Sequence, residues 1–259
     1  MRLLGADSGL THDQVSITDA PGVDAAIAQR KPDVVFNCAA YNAVDRAESE
    51  RDVAFAINAE GPGNLAVACR RHGVSLVHFS TNFVFDGTDT EPYVESDEPS
   101  PLSAYGASKL AGERAVLEQG THVLVVRTAA VFGTTTGRSF PERMLARARS
   151  GQAVRVVSDQ SVNPTYAKDL AAAAVELVGD GFAGIVHAVA DGCCGWDELA
   201  RAALGESGVA AQVESIKTVD FPTPARRPVN GCLETIRYHA LRPWQEAVRE
   251  WAEEVRSRA

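Results

Sequence analysis

The residues best equipped for chemistry are a tyrosine and a lysine four apart, in Tyr105-Gly-Ala-Ser-Lys109. On a helix that spacing puts both side chains on one face. An ammonium beside a phenol favours the phenolate and draws the tyrosine pKa toward working pH, which makes Tyr105 a proton donor or acceptor. A surface Tyr–Lys pair is an equally ordinary origin for the same spacing. The second signal is Phe79-Ser80-Thr81-Asn82-Phe83-Val84-Phe85-Asp86-Gly87, an apolar run that ends in hydroxyl residues. Thr81 is placed to hold a substrate oxygen beside Tyr105, whereas Ser80 reads as an N-cap or turn hydroxyl.

The elements that must position these residues alternate. Continuous apolar runs at 33–40, 74–80, 123–127, 153–157 and 185–189 suit strands covered on both faces, the mark of a parallel sheet. Between them, helical patterns run over 43–58, then 62–72 after a break at Gly61, and 104–119. Further helices are expected at 138–149, 169–178, 196–204 and 244–256. Strand and helix in turn with short links predict an α/β fold, a doubly wound Rossmann-like parallel sheet. Residues 1–157, with the strand at 185–190, form the expected core. Residues 158–259 mainly form a smaller substrate lobe over the C-terminal edge of the sheet, where ligands of such sheets bind.

The chain has 259 residues, 45% hydrophobic and 23% charged, with a net charge of −9. That suits a globular chain long enough to bury a core, and an acidic one without a basic stripe fits neither nucleic acid nor an anionic membrane. No apolar run reaches membrane-spanning length, and the N-terminus shows no signal-peptide pattern, so a cytoplasmic protein is expected. The five cysteines, Cys38, Cys69, Cys193, Cys194 and Cys232, are odd in number and read as reduced thiols. The histidines show no metal-ligand spacing, so no metal is expected. Trp196, Trp244 and Trp251 read as core or interface packing. The Arg-rich helix at 138–149 reads as a solvated face or the contact of a homodimer.

A strand ending in Ser-Thr followed by Tyr-x-x-x-Lys resembles the extended short-chain dehydrogenase/reductase superfamily, and more narrowly the dTDP-4-dehydrorhamnose reductases. From about Val15 the similarity covers nearly the whole chain. It runs through Val15-Ser-Ile-Thr-Asp19, Asn37-Cys-Ala-Ala-Tyr41-Asn-Ala-Val-Asp45-Arg-Ala-Glu48 and Asn58-Ala-Glu-Gly-Pro62. It continues through Arg127-Thr128, Asn163-Pro-Thr-Tyr166 and Pro222-Thr-Pro-Ala-Arg-Arg-Pro228. The resemblance implies hydride addition from NADPH or NADH to a ketone of a keto-deoxy nucleotide sugar or related natural-product intermediate. Tyr105 would be the proton donor, Lys109 would tune it and hold the nicotinamide ribose, and Thr81 would orient the carbonyl. Ala39, Ala40, Tyr41, Arg127 and Thr128 would lie at the cofactor. Asn82, Phe83, Ala130, Arg226 and Arg227 would lie at the substrate, the two arginines as a clamp for phosphates or carboxylates.

The departures from that family are physical. Its opening strand, Gly-rich phosphate loop and helix correspond here to Met1-Arg-Leu-Leu-Gly5-Ala-Asp-Ser-Gly9-Leu-Thr11, with Ser8 and Thr11 where glycines are expected. The first helix and most of the strand after it are missing, so the sheet is truncated at its N-terminal βα unit. A pyrophosphate loses the glycine loop and helix dipole that would grip it, and Asp7 adds like charge. Asn82-Phe83 stands for the family's Asp-Tyr, and Ala130 for a tryptophan. A cofactor-independent enzyme on the same scaffold therefore stays open beside the reductase: Tyr105 and Lys109 could serve elimination, isomerisation or cyclisation without nicotinamide. A non-catalytic binding subunit is the third reading.

Overall fold

The computed structural model describes residues 9–120, 122–134 and 139–258. In chain order its first half holds α1 (Ala20–Arg30), β1 (Val34–Asn37), α2 (Arg51–Phe55), α3 (Gly61–His72), β2 (Ser75–Thr81), α4 (Ala104–Leu117) and β3 (Val123–Thr128). The second half holds α5 (Phe140–Arg149), β4 (Val154–Val157), β5 (Ser161–Val162), α6 (Ala167–Gly179), β6 (Gly184–His187), β7 (Ala190–Asp191) and β8 (Cys194–Gly195). Then come α7 (Trp196–Glu206), β9 (Val213–Ile216), β10 (Asn230–Gly231), β11 (Leu241–Pro243) and α8 (Trp244–Ser257).

Four strands pair in the order β1-β2-β3-β6, all parallel. Side chains alternate across that sheet, as the two-residue period requires. Leu76, Val123 and Val125 pack with residues of α1, α3 and α4 on one side. Val77, Leu124, Val126 and Val186 pack with α6 on the other. Helices on both faces of a parallel sheet make the fold Rossmann-like α/β, as the apolar runs predict.

The structure corrects four details. The run at 153–157 does not join this sheet. As β4 it pairs with β9, and it packs with α5, α7 and α8 around the buried Trp251. The helix expected over 43–58 is instead a 3₁₀ turn at Arg46–Glu48, then α2, then a π turn at Ala56–Glu60 that runs straight into α3. Gly61 is no break: a Cβ there would lie 2.5 Å from Ile17 Cδ1, so the glycine admits a close approach. Helix α1 has no counterpart in the sequence reading, although Pro21 near its start and Val23 and Ile27 at i, i+4 are legible signals. Finally, Cys193 and Cys232 form a disulfide rather than remaining thiols. β8 and β10 both flank β5, which brings two cysteines 39 residues apart to a Cα separation of 6.1 Å. Cys38, Cys69 and Cys194 are free.

Gly5, Asp7 and Ser8 of the expected phosphate loop, and Arg138 of the expected arginine-rich helix, lie outside the described residues. Residues 9–19 run in turns, without strand or helix, into α1. No helix among the described residues is long and apolar enough to cross a membrane.

α4 lies unusually close to its neighbours. A Cβ on Gly112 would sit 2.0 Å from the Asn58 carbonyl oxygen and 3.4 Å from His78 Nε2. Gly112→Ala therefore pushes α4 off the π turn. Its expected cost, about 1–3 kcal/mol for overpacking, outweighs a helix-propensity gain of about 1 kcal/mol. A lowered urea midpoint at unchanged slope is the expected result.

Candidate active site

The site is built where β2 ends against the start of α4. Ser103 caps α4, its hydroxyl accepting from Gly106 N at 3.2 Å, and Glu48 Oε1 accepts from Ala104 N at 2.8 Å. These contacts fix the first turn, which carries Tyr105. Asn58, inside the π turn, is 1% exposed and ties three pieces together. Its Oδ1 accepts from Tyr41 N at 2.8 Å, and its Nδ2 donates to Tyr41 O at 3.1 Å and to Ser108 Oγ at 2.9 Å. Asn37 turns the preceding loop, its Oδ1 accepting from Ala39 N and its Nδ2 donating to His78 Nδ1 at 3.0 Å. A π turn interrupting a helix is a common device at functional sites.

Tyr41, Phe83 and Tyr105 pack in one cluster, with the Phe83 and Tyr105 rings edge to face at 5.5 Å. Tyr105 Oη faces Asn42 Oδ1 at 3.5 Å. Burial pushes the Tyr105 phenol up, and its hydrogen bond with Thr81 works in the opposite direction. The expected lowering by Lys109 is not what the structure shows. Lys109 is 3% exposed and its Nζ donates to the Phe79 carbonyl at 2.6 Å, because α4 packs directly on β2. Burial brings Lys109 down to about 8, with the Glu113 carboxylate opposing. Burial, and then the Lys109 charge, hold His78 well below the usual imidazole range. Thr81 lies beside Tyr105 and also takes the capping part expected of Ser80, whose hydroxyl turns inward instead. Thr81 Oγ1 caps the turn Asn82–Val84, accepting from Phe83 N at 3.2 Å, and Ser80 donates to buried Glu113.

A cavity of about 410 Å³ opens beside this cluster, lined by Phe83, Phe140, Arg143, Arg155, Trp196 and Arg227 among others. Trp196, read from sequence as packing, is a wall of this cavity and packs against Phe140 with ring centres 4.7 Å apart and planes tilted by 57°. Asn82 also lines it, and its Nδ2 donates to Gly231 O at 2.8 Å, which anchors the loop before Cys232. Arg227 is at the cavity as expected, with its fork closed on Asp45 at 2.8 and 3.0 Å. Arg226 is exposed and does not line the cavity.

Of the other expected residues, Ala39 is exposed and Ala40 half-buried at the end of β1, and Tyr41 commits its hydroxyl to Glu50. Arg127 is a correction: it is 1% exposed and bound two-pronged to Glu113, at 2.9 and 2.7 Å. Its place on the inner face of β3, under α4, gives its guanidinium a carboxylate partner instead of a ligand. Thr128 is buried with an unpaired hydroxyl, and Ala130 holds a left-handed φ of 43° outside the cavity wall. Sequence reasoning missed Asn42, Asn58, Asp45 and Glu113 as site residues. Asn42, Asp45 and Asn58 stood inside the quoted motifs without being given a role, and Glu113 lies one helical turn beyond Lys109.

The sequence of this chain matches the RmlD substrate binding domain over residues 5–257. The chain belongs to the RmlD substrate-binding-domain family. It is 41% identical over 250 residues to a dTDP-4-dehydrorhamnose reductase of Mycobacterium tuberculosis, covering 92% of this chain and 82% of that one. It is 38% identical over 249 residues to the spore coat polysaccharide biosynthesis protein SpsK of Bacillus subtilis, covering 95% and 87%. Among solved structures it is similar to a dTDP-4-dehydrorhamnose reductase of Bacillus anthracis in complex with NADP. That similarity has a TM-score of 0.92 and 32% identity over 95% of this chain and 89% of the other. The expectations of a short-chain dehydrogenase/reductase-type ketoreductase and of a Rossmann-like sheet both hold within this family.

Asp45 joins the two halves of the site, accepting from Arg227 and from the buried Ala225 N–H at 3.1 Å. Its carboxyl is held below the ordinary range, chiefly by Arg227. A hydrogen bond to a charged acceptor contributes about 1.5–3 kcal/mol. Asp45→Asn is therefore expected to speed hydrogen exchange at the Ala225 amide by about tenfold or more, leaving the β3 amides unchanged.

Proposed function

We propose that this chain reduces a ketone on a keto-deoxy nucleotide sugar with a nicotinamide cofactor, NADPH in preference to NADH, and that Tyr105 donates the proton. The observation that carries the reading is the convergence of Thr81, Tyr105 and Lys109 at the C-terminal end of β2 beside a cavity of about 410 Å³. The relatives named as dTDP-4-dehydrorhamnose reductases support the substrate class, and the NADP complex of the Bacillus anthracis enzyme supports the cofactor.

The nicotinamide end of the site suits such a cofactor. Lys109 is a buried ammonium with three N–H donors and the Phe79 carbonyl as its hydrogen-bond acceptor among the described residues, so it has donors to spare for ribose hydroxyls. The exposed Ala39 and half-buried Ala40 leave the end of β1 open to close approach, with Tyr41 beside them. When bound, a reduced nicotinamide supplies a hydride to the carbonyl carbon. The chain's own residues do the rest. Thr81 Oγ and Tyr105 Oη orient the carbonyl oxygen, and Tyr105 Oη gives its proton to that oxygen as the C=O electron pair moves onto it. Lys109, still charged, holds the nicotinamide ribose through the N–H donors that Phe79 leaves free. Burial keeps Tyr105 protonated until then, as a donor must be. Phe140, Trp196 and the cavity arginines Arg143 and Arg155 offer aromatic faces and guanidinium donors to a nucleoside diphosphate.

The turns at residues 9–19, where the family's glycine loop and helix are expected to be missing, favour the cofactor-independent acid–base reading as the alternative. Titration calorimetry with NADPH and NADH separates the two. Micromolar binding weakened by Lys109→Ala supports the reductase, and no binding at millimolar cofactor removes hydride transfer from the isolated chain. Tyr105→Phe is expected to lower turnover about 10²–10⁴-fold while NADPH still binds. Because Lys109 titrates near 8, it is charged below that pH and loses its charge as pH rises through it. A kcat profile that is flat below about 8 and falls above it is the expected outcome.

A further inference from the structure

We infer that Glu113 is a positioning residue: clamped by Arg127 and Ser80, it holds a negative charge at a fixed point one helical turn from Lys109 and so keeps that lysine charged. The consequence for catalysis rests on the reductase reading above; the geometry does not. Lys109 and Glu113 are i and i+4 on α4 and share its buried face without forming an ion pair. Lys109 is 3% exposed and Glu113 is 1% exposed, so water screens little of the field between them.

Glu113 has no freedom to turn away. Arg127 Nε donates to its Oε1 at 2.9 Å and Arg127 Nη2 to its Oε2 at 2.7 Å, and Ser80 Oγ also donates to Oε1. The two donors come from neighbouring strands and are register partners across the sheet. A carboxylate held from β2 and β3 therefore stands at a fixed point above the sheet, and α4 brings Lys109 to it. Arg127 also stacks over the Phe85 ring at 5.1 Å, which seats the guanidinium.

The other ionisable groups around Lys109 do not offer a second anion. His78 from β2 is held neutral by burial, and Tyr105 on α4 is held protonated. Arg127 from β3 and His187 from β6 bring no negative charge. Glu48 serves the N-terminus of α4. Arg51 and Asp52 of α2 and Arg70, Arg71 and His72 of α3 are exposed. Asp197, the other buried acid among the described residues, belongs to α7. Burial drives Lys109 toward the neutral amine and Glu113 works against it, so Glu113 keeps the ammonium available at neutral pH.

The chain has four lysines, Lys31, Lys109, Lys168 and Lys217, so the Nζ of Lys109 can be followed by NMR in protein labelled with 15N-lysine. Its signal is assigned by its loss in Lys109→Arg. In Glu113→Gln the Lys109 titration midpoint is expected to fall by about one pH unit or more. The alkaline limb of NADPH-dependent turnover is expected to move with it. Glu113→Gln leaves Arg127 buried without its partner. If that variant does not fold, Glu113→Gln/Arg127→Met removes both charges of the pair, so the expected fall of the Lys109 midpoint is smaller but of the same sign, and no fall overturns the inference. A merely structural ion pair would lower the unfolding midpoint and leave the Lys109 titration in place. An unchanged midpoint in the folded variant overturns the inference. If the wild-type chain binds no nicotinamide, the reductase reading fails, while the Lys109 titration still decides the role of Glu113.

Discussion

The buried ion pair between Glu113 and Arg127 is the constraint on which the rest of the site depends, because it locks α4 to the inner face of the sheet at the height of the chemistry. Taking one partner from such a pair typically costs about 3–5 kcal/mol, since the other is left charged and unsolvated. Glu113 accepts from β2 through Ser80 and from β3 through Arg127. The helix it belongs to delivers Tyr105 and Lys109. The helix and both strands are thereby fixed at one point, and the catalytic side chains take their places from it. Gly112, with no Cβ to hold α4 away from Asn58, allows the approach.

A second set of contacts closes the site from the other half of the molecule. Asp45 follows β1 and Asn82 follows β2. Each reaches more than a hundred residues along the chain, Asp45 to Arg227 and Ala225, Asn82 to Gly231. The segment they hold carries Arg227 into the cavity wall, and the disulfide from Cys232 to Cys193 ties its end to the strand that leads into α7. Trp196, the first residue of α7, supplies an aromatic wall. Cavity and catalytic cluster thus share one boundary, Phe83, whose ring touches Tyr105 on one side and lines the cavity on the other.

Much of this was legible in the sequence. The apolar runs at 74–80 and 123–127 are strands β2 and β3, because a strand buried on both faces has no polar positions to spare. The helical pattern over 104–119 is α4, and on it the four-residue spacing puts Tyr105 and Lys109 on one face, since a turn takes 3.6 residues. The run at 153–157 misled because it is apolar for a different reason. It lines the second core, around Trp251, and composition does not say which core a strand joins. Arg127 misled likewise. A motif names the residue but not whether a carboxylate from another element reaches it first.

The sequence by itself determined the fold class, the family and the identity of the helix that carries the acid–base pair. All three follow from local periodicity and from motifs read in order along the chain. Only the tertiary structure decided what Lys109 acts on, what Ser80 binds, where Arg127 and Arg227 spend their charge, and that Cys193 meets Cys232. Those outcomes depend on burial and on partners 14 to 182 residues away. In a low-dielectric interior the nearest opposite charge or carbonyl sets what a group does, and proximity of that kind is a property of packing rather than of order in the chain.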